Sequence, residues 1–129
     1  MQRRFSGYDE FFLFYLTQHS DGRNRALHAT GTITSVLFVA AMFFIGHAWY
    51  ALLWPLIAYT FAWTGHFLIE HNKPATFGHP FWSFISDFRM VGLMLTGRLN
   101  AALERAKAQE SVHVRGHFES LENTSKAAS

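Results

Sequence analysis

A long stretch without charge constrains the fold of this chain more than any other feature. From residue 26 to residue 69 the sequence contains no Asp, Glu, Lys or Arg. The stretch is long enough for two membrane crossings, since a helix needs about 20 apolar residues to cross a bilayer core of about 30 Å. Gly46 and His47 are suited to close the first helix. We therefore predict an all-α fold, an integral membrane helical hairpin with flanking interfacial helices.

The segments beside the hairpin are amphipathic or interrupted. Residues 8–18 are rich in aromatic side chains and predict a helix that is too short to span a bilayer. Residues 81–95 are apolar, but Asp87 and Arg89 interrupt them, which favours an interfacial or re-entrant helix. Asn24 is a suitable N-cap for the first long helix, and Pro55 suits the first turn of the second.

The end of the chain has a different composition. We expect a membrane-embedded domain over residues 1–97. Residues 98–129 are polar, and they predict a helix followed, after Gln109, by a disordered tail.

Basic residues predict the orientation in the membrane. They lie before and after the hairpin, whereas residues 46–54, which connect its two helices, carry no charge. The cytoplasmic side of a membrane protein is the side enriched in Lys and Arg. Both termini are therefore expected in the cytoplasm, at a bacterial inner membrane or, in a eukaryote, at the endoplasmic reticulum.

Composition excludes several kinds of site. The chain has no cysteine, which excludes disulfides, thiolate metal sites and a cysteine nucleophile, so any metal must use nitrogen and oxygen ligands. The net charge of +2 is too small to indicate nucleic-acid binding.

Four ionisable residues recur where the hairpin returns to one surface. His66 and Glu70 are four residues apart, one helical turn, at the end of the second long helix. His19 and His28 flank the polar turn that leads into the first. Because the start of the first helix and the end of the second meet in a hairpin, these side chains are predicted to converge on a metal ion.

An alternative for the same residues stays open. In this alternative, Glu70 forms an ion pair with a nearby Arg or Lys, and the histidines form hydrogen bonds with the turn. Asn24 and Arg25 precede His28 by four and three residues. They are therefore placed to support a metal ligand or to bind a substrate carboxylate. Helix capping and contact with lipid headgroups are equally compatible with them.

The remaining histidines have simpler interpretations. His71 and His79 are spare ligand candidates beside a proline-bounded connector. His47 lies in the opposite loop, and we expect it to be packed or hydrogen-bonded. His113 and His117 lie in the polar tail, where we expect them to be solvated.

Four ordered blocks together resemble a known family. They are Phe14-Tyr15-Leu16-x-x-His19, Asn24-Arg25-x-x-His28-x-x-Gly31, Ala62-Trp63-x-Gly65-His66-Phe67-x-x-Glu70-x-Asn72-x-Pro74-Ala75-Thr76-Phe77 and Pro80-x-x-Ser83-x-x-x-Asp87. They are similar to those of small membrane proteins that were long catalogued as a domain of unknown function. The fungal member of that family is a 2-hydroxy fatty acid dioxygenase in phytosphingosine degradation. The resemblance covers about residues 8–97.

The resemblance implies a specific chemistry. It implies an Fe(II)-dependent dioxygenase that uses molecular oxygen to shorten a long-chain 2-hydroxy fatty acid by one carbon, with membrane lipid around it. Carried over by position, it points to His19, His28 and His66 as metal ligands, with Glu70 as the carboxylate. The position after this glutamate is commonly basic in the family, whereas here it is His71. For the reaction we further assign Arg25 to the substrate carboxylate and Asn24 to orienting a ligand.

Two rival functions remain compatible with the sequence. One is another metal-dependent lipid-modifying membrane enzyme, such as a di-iron hydroxylase, although the dense His-x-x-His-His clusters usual in that class are absent from the sequence. The other is a non-enzymatic membrane scaffold in which the polar groups only hold the hairpin together.

Overall fold

The computed structural model describes residues 3–128, and this part of the chain is helical without strands. Five α-helices follow one another: α1 (Tyr8–Thr17), α2 (Gly22–Phe44), α3 (Trp54–Thr64), α4 (Pro80–Leu95) and α5 (Leu99–Ala127). Short 3₁₀ turns lie at Ala48–Leu53 and Ala75–Phe77, and a π-helical turn at Gly65–Glu70 continues α3. The predicted all-α architecture is confirmed.

Two helical segments form the hairpin. Gly22–Phe44 and Ala48–Glu70 are each long and apolar enough to cross a membrane. They pack closely at Gly31, where a Cβ atom would lie only 2.8 Å from the Cβ of Phe61. Most of their large apolar side chains face outward, including Leu37 (64% exposed) and Leu56 (67% exposed). Such a surface suits lipid, because a soluble protein rarely exposes so large a continuous apolar face.

The start of α2 differs from the prediction. Asp21, not Asn24, is its N-cap residue, and the Asp21 carboxylate accepts a hydrogen bond from the backbone N–H of Arg23 at 2.8 Å. Asn24 lies inside the first turn and is fully buried. Its side chain is therefore available for tertiary contacts.

Helices α1, α4 and α5 form a second layer at the open end of the hairpin. Their shared core is aromatic and aliphatic: Phe11, Phe12, Tyr15, Leu16, Met90, Leu99 and Ala106. The guanidinium of Arg89 on α4 lies over the ring of Phe12 at 4.1 Å and bonds the Asp9 carboxylate at 3.1 Å. These contacts fix α1 against α4, and α1 leads directly into the turn that carries His19.

The C-terminal segment is more regular than the sequence predicts. Helix α5 continues to Ala127, where a disordered tail was expected after Gln109. Only its first half packs on the rest of the protein, through Leu99 and Ala106. The second half is exposed, with a pair one helical turn apart between Glu122 and Lys126 at 2.5 Å. Such pairs favour a helix, which composition alone did not reveal.

Candidate metal centre

Three histidines from three elements converge at the open end of the hairpin. His19 follows α1, His28 lies in α2, and His66 lies in the π-helical turn. All three side chains are buried, and one ring nitrogen of each lies within 4.8 Å of the others. The structure therefore brings together three of the four residues predicted to share a site.

Each ring is held by an oxygen at its Nδ1 atom. The Nδ1 of His19 lies 2.7 Å from the backbone carbonyl of Tyr15, and that of His28 lies 2.8 Å from Oδ1 of Asp87. The Nδ1 of His66 lies 2.7 Å from Oδ1 of Asn72. Histidines that bind metals usually donate the other ring N–H in this way.

These partners fix the tautomers. A carbonyl or carboxylate oxygen only accepts, so the Nδ1 atoms of His19 and His28 must carry the proton. The amide of Asn72 is fixed as well, because its Nδ2 donates to the backbone carbonyl of Gln18 at 3.0 Å and so leaves Oδ1 facing His66. In the neutral rings, the Nε2 atoms are then left with lone pairs.

The lone pairs face one another. The Nε2 atoms of His19 and His28 are 3.1 Å apart, and the ring of His66 lies 4.5 Å from that of His19, centre to centre. Two facing lone pairs repel unless a proton or a metal ion lies between them. Nitrogens that bind one metal ion at about 2.0–2.1 Å in a tetrahedral arrangement lie about 3.3–3.4 Å apart.

The surroundings of His19 favour the form of its imidazole that a metal requires. Burial lowers the pKa of His19 well below its ordinary value, and the neighbouring imidazoles of His28 and His66 act in the same direction. Metal ligation needs the neutral imidazole. Three buried imidazoles with fixed orientation fit a transition metal such as Fe(II) or Zn(II).

Tyr15 joins two of the histidines. Its backbone carbonyl accepts a hydrogen bond from His19. Its hydroxyl donates a hydrogen bond to the same Asp87 oxygen that accepts one from His28. Its ring also stacks on the His19 ring at 4.1 Å between centres. Tyr15, Asn72 and Asp87 were not predicted as site residues, although each stands in one of the blocks that carry the resemblance.

Glu70 lies outside the group of histidines. Its carboxylate accepts from the backbone N–H of Asp21 at 2.6 Å, from the Ser20 hydroxyl at 2.9 Å and from the Asn24 amide at 3.4 Å. The structure therefore does not support its predicted place in the ligand set. Glu70 ties the turn before α2 to the end of the hairpin instead.

The hydrogen bonds of Glu70 account for this difference. His66 and Glu70 both lie in the π-helical turn. The Glu70 carboxylate bonds Asp21 and Ser20, and it does not join the three imidazoles. The turn ends at His71, whose φ of 52° places it in the left-handed region.

Asn24 supports the same turn by close packing. A Cβ atom at position 65 would collide with the Asn24 carboxamide, so only glycine fits there. Gly65 directly precedes His66 in the chain. Asn24 therefore contacts the backbone that carries a candidate ligand, which agrees with its predicted supporting role more than with helix capping.

Arg25, His71 and His79 lie elsewhere. One nitrogen of Arg25 donates to the backbone carbonyls of His19 at 2.8 Å and Ser20 at 2.7 Å, so the guanidinium holds the turn. His71 is exposed, and His79 packs among aromatic rings, 5.1 Å from Trp82. Neither of these spare histidines joins the group.

A small cavity adjoins the histidines. It has a volume of about 10 Å³ and is lined by His28, His66 and Asp87, among others. Ser83 also lines it, and its buried hydroxyl has no hydrogen-bond partner among the described residues. A volume of this size holds about one water molecule, so a small polar group would fit beside Ser83.

Comparison with known proteins identifies the family. Residues 5–99 match the family described as 2-hydroxy-palmitic acid dioxygenase Mpo1-like. The chain belongs to this family. No curated protein and no solved structure matches the chain. The match includes the three histidines and their hydrogen-bond partners, whereas α5 lies outside it apart from Leu99.

Proposed function

We propose that the chain is a membrane-embedded, Fe(II)-dependent dioxygenase that shortens long-chain 2-hydroxy fatty acids by one carbon. The observation that carries the proposal is the convergence of three buried, oriented imidazoles inside the part of the chain that matches the dioxygenase family. The Nε2 atoms of His19 and His28 lie 3.1 Å apart, so one metal ion could bind both.

His19, His28 and His66 would hold the metal. When bound, Fe(II) would supply a Lewis-acidic centre that activates oxygen and that the carboxylate and hydroxyl of a 2-hydroxy acid can chelate, while the 2-hydroxy acid itself supplies the electrons that reduce oxygen. Three protein ligands leave coordination positions free for small molecules. Glu70 is not among the proposed ligands, because three donors from the turn and from α2 occupy its carboxylate.

The hydrogen bonds at the Nδ1 atoms set the positions of the rings. Asp87, held in turn by the Tyr15 hydroxyl, accepts from His28 and makes that imidazole a stronger electron donor. Asn72 accepts a hydrogen bond from His66 in the same way, although its amide group carries no charge. These residues act on the ligands and not on the substrate.

Ser83 is the binding residue that the cavity suggests. Its hydroxyl is buried beside His28 and His66 and has no hydrogen-bond partner within residues 3–128, so it would gain a hydrogen bond by donating to an oxygen atom of the substrate. Ser83→Ala should raise the KM for the 2-hydroxy acid while metal content stays unchanged. Ser86→Ala is the matched control, since Ser86 is equally buried on the same helix but lies near the Tyr8 hydroxyl.

The membrane would present the substrate. The outward face of the hairpin is apolar, and the histidines lie where the hairpin meets the second layer. The acyl chain can then remain in lipid while its polar end reaches the centre.

We place both termini in the cytoplasm. A single cysteine at Ser120 should be labelled only from that side and one at Ala48 only from the other, because the chain has no cysteine of its own.

Metal quantification tests the ligand set. Protein purified without oxygen and loaded with Fe(II) should bind the metal stoichiometrically, and alanine at His19, His28 or His66 should lower the affinity at least roughly tenfold. His47→Ala and His79→Ala are the matched controls and should retain the metal. Full iron occupancy in all three site variants would refute the proposed ligands and with them the proposed function.

A further inference from the structure

A second cavity lies apart from the histidines. It has a volume of about 640 Å³ and opens between the end of α1, the first turn of α2 and residues 103–115 of α5. Its apolar wall includes Leu16, Leu103 and Val114. None of the three histidines of the metal centre lines it. Its size is within the range of about 300–1,000 Å³ that is typical of small-molecule sites.

The cavity has a cationic rim. Arg25, Lys107 and Arg115 line it, against a single acidic residue, Glu110. The Glu110 carboxylate already bonds Arg3 at 2.9 Å, so it adds little negative charge. Lys107 does pair with Glu104, but both side chains are more than 70% exposed, and such pairs are weak. An apolar wall with an excess of positive charge is complementary to an anionic amphiphile.

Arg25 connects this cavity to the metal centre. The same guanidinium that lines the cavity donates to the backbone carbonyls of His19 and Ser20. An anion bound at Arg25 would therefore lie beside the turn that carries His19. The opposite wall is built by α5, which lies outside the region that matches the family.

We propose that this cavity is a second lipid site, which binds a free fatty acid with its carboxylate at Arg25, Lys107 and Arg115 and its chain along Leu16, Leu103 and Val114. Arginine suits a carboxylate because its guanidinium can donate two parallel hydrogen bonds. The choice of a carboxylate over a phosphate head rests on the proposed function, in which the chain handles fatty acids. The charge and apolar wall of the cavity do not depend on that function.

Photolabelling of the full chain tests the site. The probe is palmitic acid with a diazirine in its chain, added to protein in nanodiscs of neutral phosphatidylcholine, with the labelled peptides located by mass spectrometry. Label should appear in peptides of α5 that contain residues 103–115. Unlabelled palmitate should compete, whereas methyl palmitate and lysophosphatidylglycerol should compete at least roughly tenfold less well.

Charge variants test whether the cationic rim binds the fatty acid. The double variant Lys107→Glu with Arg115→Glu should lose roughly tenfold in labelling of α5. The control is Arg105→Glu with Lys126→Glu, which makes the same charge change on the same helix at residues that do not line the cavity. Val114→Trp, which narrows the cavity without changing charge, should also reduce labelling. Equal labelling in the double variant and its control would overturn the proposal.

The metal centre provides the independent test. His66→Ala should lose iron and keep the labelling of α5, which would show two separate sites. Loss of both together would overturn the claim of a second site. Effective competition by methyl palmitate or by lysophosphatidylglycerol would overturn the assignment of a carboxylate. If labelling persists but the protein turns over no 2-hydroxy acid, the proposed function fails and this site stands.

Discussion

The Nε2 atoms of His19 and His28 face each other at 3.1 Å, while the Nδ1 atom of each ring is bound to an oxygen. With both rings neutral, this leaves two lone pairs opposed inside a buried site. A metal ion converts that repulsion into two coordinate bonds. Metal binding should therefore stabilise the fold as well as complete the site.

Thermal unfolding tests this first consequence. Free Fe(II) at 100 times its dissociation constant should stabilise the protein by about 2.7 kcal/mol, because the metal binds only the folded arrangement. A chelator should reverse the increase in Tm. The same addition should leave the Tm of His66→Ala nearly unchanged, and an equal rise in that variant would show that the metal binds elsewhere.

The Tyr15–Asp87 pair gives a second prediction. Asp87→Ala removes the acceptor that holds His28, so metal affinity should fall about 10–100-fold. Tyr15→Phe removes only the hydroxyl that supports Asp87, and it should cause a smaller loss in the same direction. Competition with a fluorescent chelator measures both. Asp9→Ala is the control, since Asp9 pairs with Arg89 at the surface; a loss as large as that of Asp87→Ala would point to a general defect.

Glu70 gives a prediction opposite to that for a ligand. Glu70→Gln should retain the metal, but it should destabilise the protein by about 1–3 kcal/mol, because it weakens the bonds from Asp21 and Ser20. Hydrogen exchange at the Asp21 amide should become faster, and Glu104→Gln should change neither quantity. Loss of metal as complete as in His66→Ala would restore Glu70 to the ligand set.

The sequence predicted the hairpin and the meeting of the histidines because both follow from simple geometry. A stretch without charge indicates two membrane crossings, and a hairpin brings the start of one helix to the end of the next. These two facts were enough to predict that His19, His28 and His66 would converge.

The sequence could not predict the details that depend on tertiary contacts. Glu70 was expected to join His66 because the two are four residues apart, whereas the structure shows its carboxylate bonded to Asp21 and Ser20, about 50 positions earlier in the chain. Asn72 and Asp87 act through hydrogen bonds to the histidines, and the sequence showed Asp87 as an interruption of an apolar segment and as part of one block of the resemblance, without a role in the site. The Asn24 contact with Gly65 depends in the same way on the packing of two helices.

The cap of α2 predicts a pH effect. Hydrogen bonds from the side chain and the backbone N–H of Arg23 lower the pKa of Asp21 from 3.8 to about 2. A lowered folded-state pKa means that the cap stabilises the fold fully above pH 3.8 and loses this contribution as the pH falls to about 2. An NMR titration of the Asp21 carboxyl carbon should show this, and Arg23→Ala should move the midpoint upward. An unchanged midpoint in Arg23→Ala would contradict the assigned cause.

Oxygen consumption tests the central claim most directly. Anaerobically purified protein, loaded with Fe(II) and supplied with oxygen and 2-hydroxypalmitate, should consume oxygen and release a product one carbon shorter without an added organic cosubstrate. Palmitate, which lacks the 2-hydroxyl and so one chelating atom, should react far more slowly, and His66→Ala should consume no oxygen above background. Equal turnover of the two acids, or full turnover by His66→Ala, would contradict this account.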